Sequence, residues 1–109
     1  MLRDGEPREV FHEDMETPAI VETYTIPQAA EALGKSEVNF RRWLQRDLVP
    51  APYLRETTRN LLVYSRGEMQ VLVEQLARHE ESFAYYCAQH ETAKHSIFQH
   101  MQAYRASYV

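Results

Sequence analysis

Between Tyr24 and Ser65 the apolar residues change from a helical spacing to a strand-like one, and Pro50 and Pro52 fix where the change occurs. Ahead of the prolines, Ile26, Ala29, Ala30 and Leu33 fall at i, i+3, i+4 and i+7, one face of a short helix. Thr25 and Gln28 have capping-box spacing, and Pro27 lies in the first turn, where its missing N–H is harmless. Gly34 can take the left-handed conformation that ends a helix, and its bare Cα lets the next helix pass close by. Ser36 caps a second helix, with Phe40, Trp43 and Leu44 on one side and Glu37, Val38, Arg41, Arg42 and Gln45 on the other. Beyond the prolines, residues 53–55 and 61–64 are β-prone and are separated by a polar turn in which Asn60 tolerates positive φ.

Helix, tight turn, helix and ribbon is the layout of a winged helix-turn-helix, whose second helix enters the DNA major groove while the ribbon lies along the backbone. On that layout Arg41 and Arg42 reach phosphates or guanine edges, because a guanidinium forks onto either. Ser36 and Asn39 sit at the helix start, within reach of a phosphate or a base edge, and Val38 and Gln45 lie near bases. Arg55 and Arg59 fall on or near the ribbon tip, where a wing meets the backbone.

The ordered set Tyr24-Thr25-Ile26, Ala29-Ala30 through Leu33-Gly34, Ser36, Phe40-Arg41-Arg42-Trp43, Leu48-Val49-Pro50 and Val63-Tyr64-Ser65 resembles the MerR-like winged-helix family. That family includes excisionase-type and small-terminase-type phage proteins besides transcription regulators. The resemblance spans roughly half the chain, the size of one wing-bearing module. It implies a mainly α fold with a small β-ribbon, a winged helix-turn-helix followed by a C-terminal helix or helical hairpin. Two positions depart from the family pattern. Leu62 stands where the family carries a wing arginine, which leaves Arg55 and Arg59 to make that contact, and Asp47 stands where the family has glycine.

The net charge is −4, a sign that opposes duplex binding unless it is unevenly spread. Residues 1–24 hold seven acids and two bases, whereas residues 41–66 hold six arginines against Asp47 and Glu56. Three regions are therefore expected: a flexible acidic arm at 1–22, the winged module at 23–78, and a helical oligomerisation segment at 79–109. The arm keeps the protein soluble or competes with DNA for the basic surface. Ser65 and Glu68 form a second capping box, and Met69, Leu72, Val73 and Leu76 line the helix it opens. Ile97, Phe98, Met101 and Tyr104 form a later stripe, on one long rod or on a second helix after a break near His90–Thr92. In the family, helices after the wing pair two subunits, which makes a homo-oligomer through the C-terminal helices the expected assembly.

No nucleophile elbow, zinc-protease motif or phosphate loop occurs, so no enzyme, catalytic residue or cofactor is expected. Cys87 and His90 share a helical face, but two ligands are too few for a metal site. With a single cysteine, no signal-peptide core and no apolar run of bilayer length, the expected setting is the cytoplasm, away from membranes. The expected function is sequence-specific binding of double-stranded DNA, by a small transcription regulator acting as a dimer or cooperative array. The alternatives are an excisionase-like or small-terminase-like phage factor, and a protein-interaction module that keeps the winged fold.

Overall fold

Two strands, β1 (Glu6–Phe11) and β2 (Ala19–Tyr24), open the computed structural model, which describes residues 2–79 and 91–106. Then come α1 (Ile26–Ala32), α2 (Glu37–Gln45), β3 (Leu54–Glu56), β4 (Leu62–Ser65), α3 (Arg66–His79) and α4 (Glu91–Ala106). With four antiparallel strands beside four helices among the described residues, the fold is mixed α/β, which the expected mainly α class with a small ribbon fits only loosely.

The flexible arm expected over residues 1–22 is instead folded into the sheet. β1 pairs with β2 from Glu6↔Thr23 to Val10↔Ala19, and with β3 through Val10↔Glu56 and Phe11↔Arg55. β2 pairs with β4 (Thr23↔Ser65, Tyr24↔Tyr64), and β4 with β3 (Leu54↔Val63, Arg55↔Leu62). The order β1-β2-β4-β3 therefore closes on itself, and the ribbon is half of a small barrel. Its interior holds Val10, Leu54 and Val63, with Met15, Val21 and Tyr53 packed against them. The strand period of β1 is masked because Arg8 shares a face with Val10. The Arg8 guanidinium is satisfied there by Thr23 Oγ1 at 2.7 Å and Glu6 Oε2 at 2.8 Å. A charged residue with its donors met can occupy a half-buried strand position that an apolar residue would advertise.

Both helix ends flanking the first connection follow from their residues. Gln28 N donates to Thr25 Oγ1 at 3.4 Å, and Thr25 N to Gln28 Oε1 at 3.0 Å, the reciprocal cap expected. Lys35 N donates to Ala30 O and Gly34 N to Glu31 O, a Schellman end with Gly34 at φ 71°. Nothing lies within 4 Å of a Cβ built on Gly34, so this glycine serves the backbone conformation and not a close helix approach. α2 ends in the same way, with Leu48 N to Trp43 O and Asp47 N to Leu44 O. Asp47 takes the left-handed role at φ 55°, which a short polar side chain tolerates better than most.

The main core joins both halves of the chain. Tyr24 and Tyr64 are buried cross-strand neighbours, and Tyr64 meets Phe40 edge-on at 6.3 Å, as Phe40 meets Trp43 at 6.4 Å. Met69 and Leu72 of α3 and Ile97 and Met101 of α4 complete the cluster. Ile97 and Met101 are thus covered by their own chain, so this part of the stripe expected to pair two subunits is spent within one. α4 runs back along α3: Tyr104 lies over Gly67, where a Cβ would fall 1.8 Å from the phenolic oxygen, and Arg105 meets Glu68. That excludes one continuous rod and leaves the helical hairpin. Residues 80–90, which contain Cys87 and His90, lie outside the described residues.

Two outcomes follow for stability. Removing residues 1–22 uncovers β3 and empties the Val10 position, and should lower the unfolding free energy obtained from a urea titration by on the order of 3 kcal/mol or abolish folding. Arg105→Ala strands the buried Glu68 carboxylate and should cost about 3 kcal/mol in the same measurement.

Candidate nucleic-acid interface

α2 carries most of the candidate residues because its apolar side is committed. Phe40 and Trp43 are buried, whereas Ser36, Val38, Asn39, Arg41, Arg42 and Gln45 are all exposed. Val38 is 69% exposed, one of two β-branched apolar side chains left largely open among the described residues, with Ile20. Ser36 is less available than its position suggests. Its Oγ accepts from Asn39 N at 3.1 Å, so the hydroxyl caps the helix and keeps its own proton and one lone pair for a ligand.

The two arginines differ. Arg41 Nε donates to Glu37 Oε2 at 2.7 Å, an exposed i, i+4 pair worth a few tenths of a kcal/mol at most. Arg42 has no ion pair among the described residues. Arg46, one turn further on, is also exposed and without an ion pair among the described residues. Sequence reasoning passed over Arg46 because it lies in the helix cap, outside the apolar periodicity. Its signal was the i, i+4 distance from Arg42, which puts both on one face. Lys35 was passed over as well, and its ammonium stands 5.9 Å from the Trp43 ring centroid, over the indole.

The ribbon residues separate from one another. Arg55 points outward from β3, with Nη1 3.4 Å from Asn60 Oδ1. An open groove of about 540 Å³ brings Arg55 together with Arg41, between Pro27 of α1 and Leu61 and Leu62 of the ribbon. Arg59 is exposed at the tip, and Arg42 and Gln45 do not line the groove. The eight candidate residues thus fall into a helix face, a groove pair and a single tip residue.

The tip is built on a carboxylate. Glu56 Oε1 accepts from Thr58 N and Oε2 from Arg59 N, both at 2.7 Å, and Asn60 closes the turn at φ 58°. Thr57 ties the tip to β1, its N donating to Glu9 O at 3.1 Å and its Oγ1 to Glu9 Oε1 at 2.9 Å. The backbone N–H groups of Arg59 and Thr58 hold the Glu56 carboxyl below the usual carboxylate range. The folded-state value lies below the unfolded value of about 4.3, so the stabilisation is complete above that pH. It is lost as pH falls through the folded-state value. The protection of the Thr58 and Arg59 amides against hydrogen exchange, measured relative to the unstructured chain at each pH, should therefore fall in acid, and Glu56→Gln should remove that pH dependence and weaken protection at neutral pH.

Among the described residues, no helix is long and apolar enough to cross a membrane. No protein-family profile, curated protein or solved structure matches this chain.

Proposed function

We propose that the chain binds double-stranded DNA as a winged helix-turn-helix protein of the MerR-like kind, most simply a small transcription regulator. The observation that carries this reading is the outward face of α2. Arg42 and Arg46 lie one turn apart, exposed and without ion pairs among the described residues, on a helix braced by buried Phe40 and Trp43. A rigid helix with free guanidinium groups suits the major groove, where arginine forks onto guanine O6 and N7 or onto phosphate.

On this reading Asn39, Val38 and Gln45 face base edges and Arg59 neutralises a phosphate from the ribbon tip. Arg55 is left out of the contact set. It shares a cleft with Glu13 and Asp14, whose carboxylates would meet an approaching phosphate. The Arg41 pair with Glu37 opens at little cost when a phosphate competes for it.

Selection of bound fragments from a random duplex pool, followed by a salt titration on the best fragment, tests the proposal. Affinity should fall steeply with salt as counterions are released. Arg42→Ala should weaken binding about tenfold and reduce the salt slope by about one. A salt-independent affinity, or full retention of binding after joint replacement of Arg42 and Arg46, would sink it.

A further inference from the structure

Three of the five large apolar side chains left exposed among the described residues stand together on the sheet. Phe11 of β1 is in register with Arg55 of β3, and Arg55 with Leu62 of β4, so these three side chains form one outward row. Leu61 adjoins it. Phe11, Leu61 and Leu62 are 40%, 44% and 38% exposed. Two open clefts flank the row. One of about 570 Å³ is lined by Phe11, Glu13, Asp14, Tyr53, Arg55 and Leu62, among others, and the second is the Arg41–Arg55 groove.

Charges of both signs face the first cleft, yet Arg55 makes no ion pair with Glu13 or Asp14. A surface that is apolar along its middle and carries a cation without an ion pair among the described residues, with two carboxylates beside it, is complementary to itself. The same carboxylates exclude a duplex or an acidic peptide as the occupant. We infer that this face joins two copies of the chain about a two-fold axis. Phe11 packs against Phe11 of the second copy, and each Arg55 points at the Glu13 and Asp14 of the other. An isologous interface makes every contact away from its axis twice, which requires both members of each ion pair to be present on one patch.

The row alone is smaller than the ~800 Å² per partner of a standard interface, and the cleft walls must supply the rest. The association is accordingly weak, with a Kd on the order of tens of micromolar. Salt weakens it, because the ion pairs lie at the rim of the interface. No duplex takes part, so the inference stands apart from the DNA-binding proposal.

Sedimentation velocity of the full chain without DNA, from ~5 to ~500 µM, tests it. The wild type should pass from monomer to dimer across that range. Phe11→Glu should raise the Kd by at least ~30-fold with an unchanged thermal midpoint, and Leu62→Glu serves in its place if the first variant unfolds. R55E alone and E13R/D14R alone should remain monomeric, and an equimolar mixture should recover a heterodimer. A wild type that stays monomeric to the top of the range overturns the inference. So does a dimer that both apolar variants leave intact, or a charge-swapped mixture that stays monomeric.

Discussion

One buried carboxylate ties the chain's distant parts together. Glu68 is fully buried, and its Oε1 accepts from Ser65 N at 2.9 Å to cap α3 at the end of β4. Its Oε2 receives Arg105 Nε from the last turn of α4 at 2.7 Å. The same guanidinium donates through Nη2 to Ala51 O at 2.7 Å and lies over the Tyr53 ring at 4.4 Å. Four elements (β4, α3, α4 and the proline loop before β3) are thus referred to a single anion. Such a pair gives little net stability relative to an apolar substitute, but it is strongly directional, and breaking one half leaves an uncompensated charge. It sets the register of the helical hairpin against the sheet. Tyr104 over Gly67 fits only in that register, since any side chain at position 67 would occupy the space of the phenol.

How much of this was legible in the sequence depends on the range of each interaction. The capping boxes at Thr25–Gln28 and Ser65–Glu68 were readable because every partner lies within three residues. The left-handed positions at Gly34 and Asn60 were readable for the same reason. Asp47 shows the limit of a residue-type rule: the backbone keeps its left-handed turn although the expected glycine is gone. The hairpin at the N-terminus was not readable. Pro7 and the charged residues Glu6, Arg8 and Glu9 give β1 the composition of a solvated arm, and its strand identity comes from partners beyond the reach of local rules, in β2 and, dozens of residues further on, in β3. Pro7 is tolerated because β1 meets β3 only at Val10 and Phe11, which leaves the edge beside the proline without a strand partner.

The candidate site was legible in its residues and less so in its arrangement. Periodicity placed Arg41, Arg42 and Gln45 opposite Phe40 and Trp43, and all three are exposed. Periodicity cannot report that Glu37 engages Arg41, that Ser36 is occupied by its own cap, or that Arg46 extends the free face. The C-terminal stripe is the reverse case. Ile97 and Met101 were correctly read as apolar seam residues, but spacing cannot tell a seam that meets another chain from one that meets Leu72 of the same chain.

Closure of the sheet changes what the ribbon can do. A free two-stranded ribbon is marginally stable in water and can bend to follow a partner. Here β1 covers β3, Thr57 is bonded to Glu9, and the Glu56 carboxylate holds the turn, so the tip is fixed to the N-terminal hairpin. The same closure brings Glu9 next to the tip and Glu13 and Asp14 into the cleft with Arg55. At physiological ionic strength, charge is felt over roughly 8 Å, so Glu13 and Asp14 offset the Arg55 charge in the cleft they share. Arg42 and Arg46 of α2, by contrast, are exposed and make no ion pair among the described residues. The ribbon's outer row, apolar and bearing both signs of charge, is left suited to protein in place of phosphate.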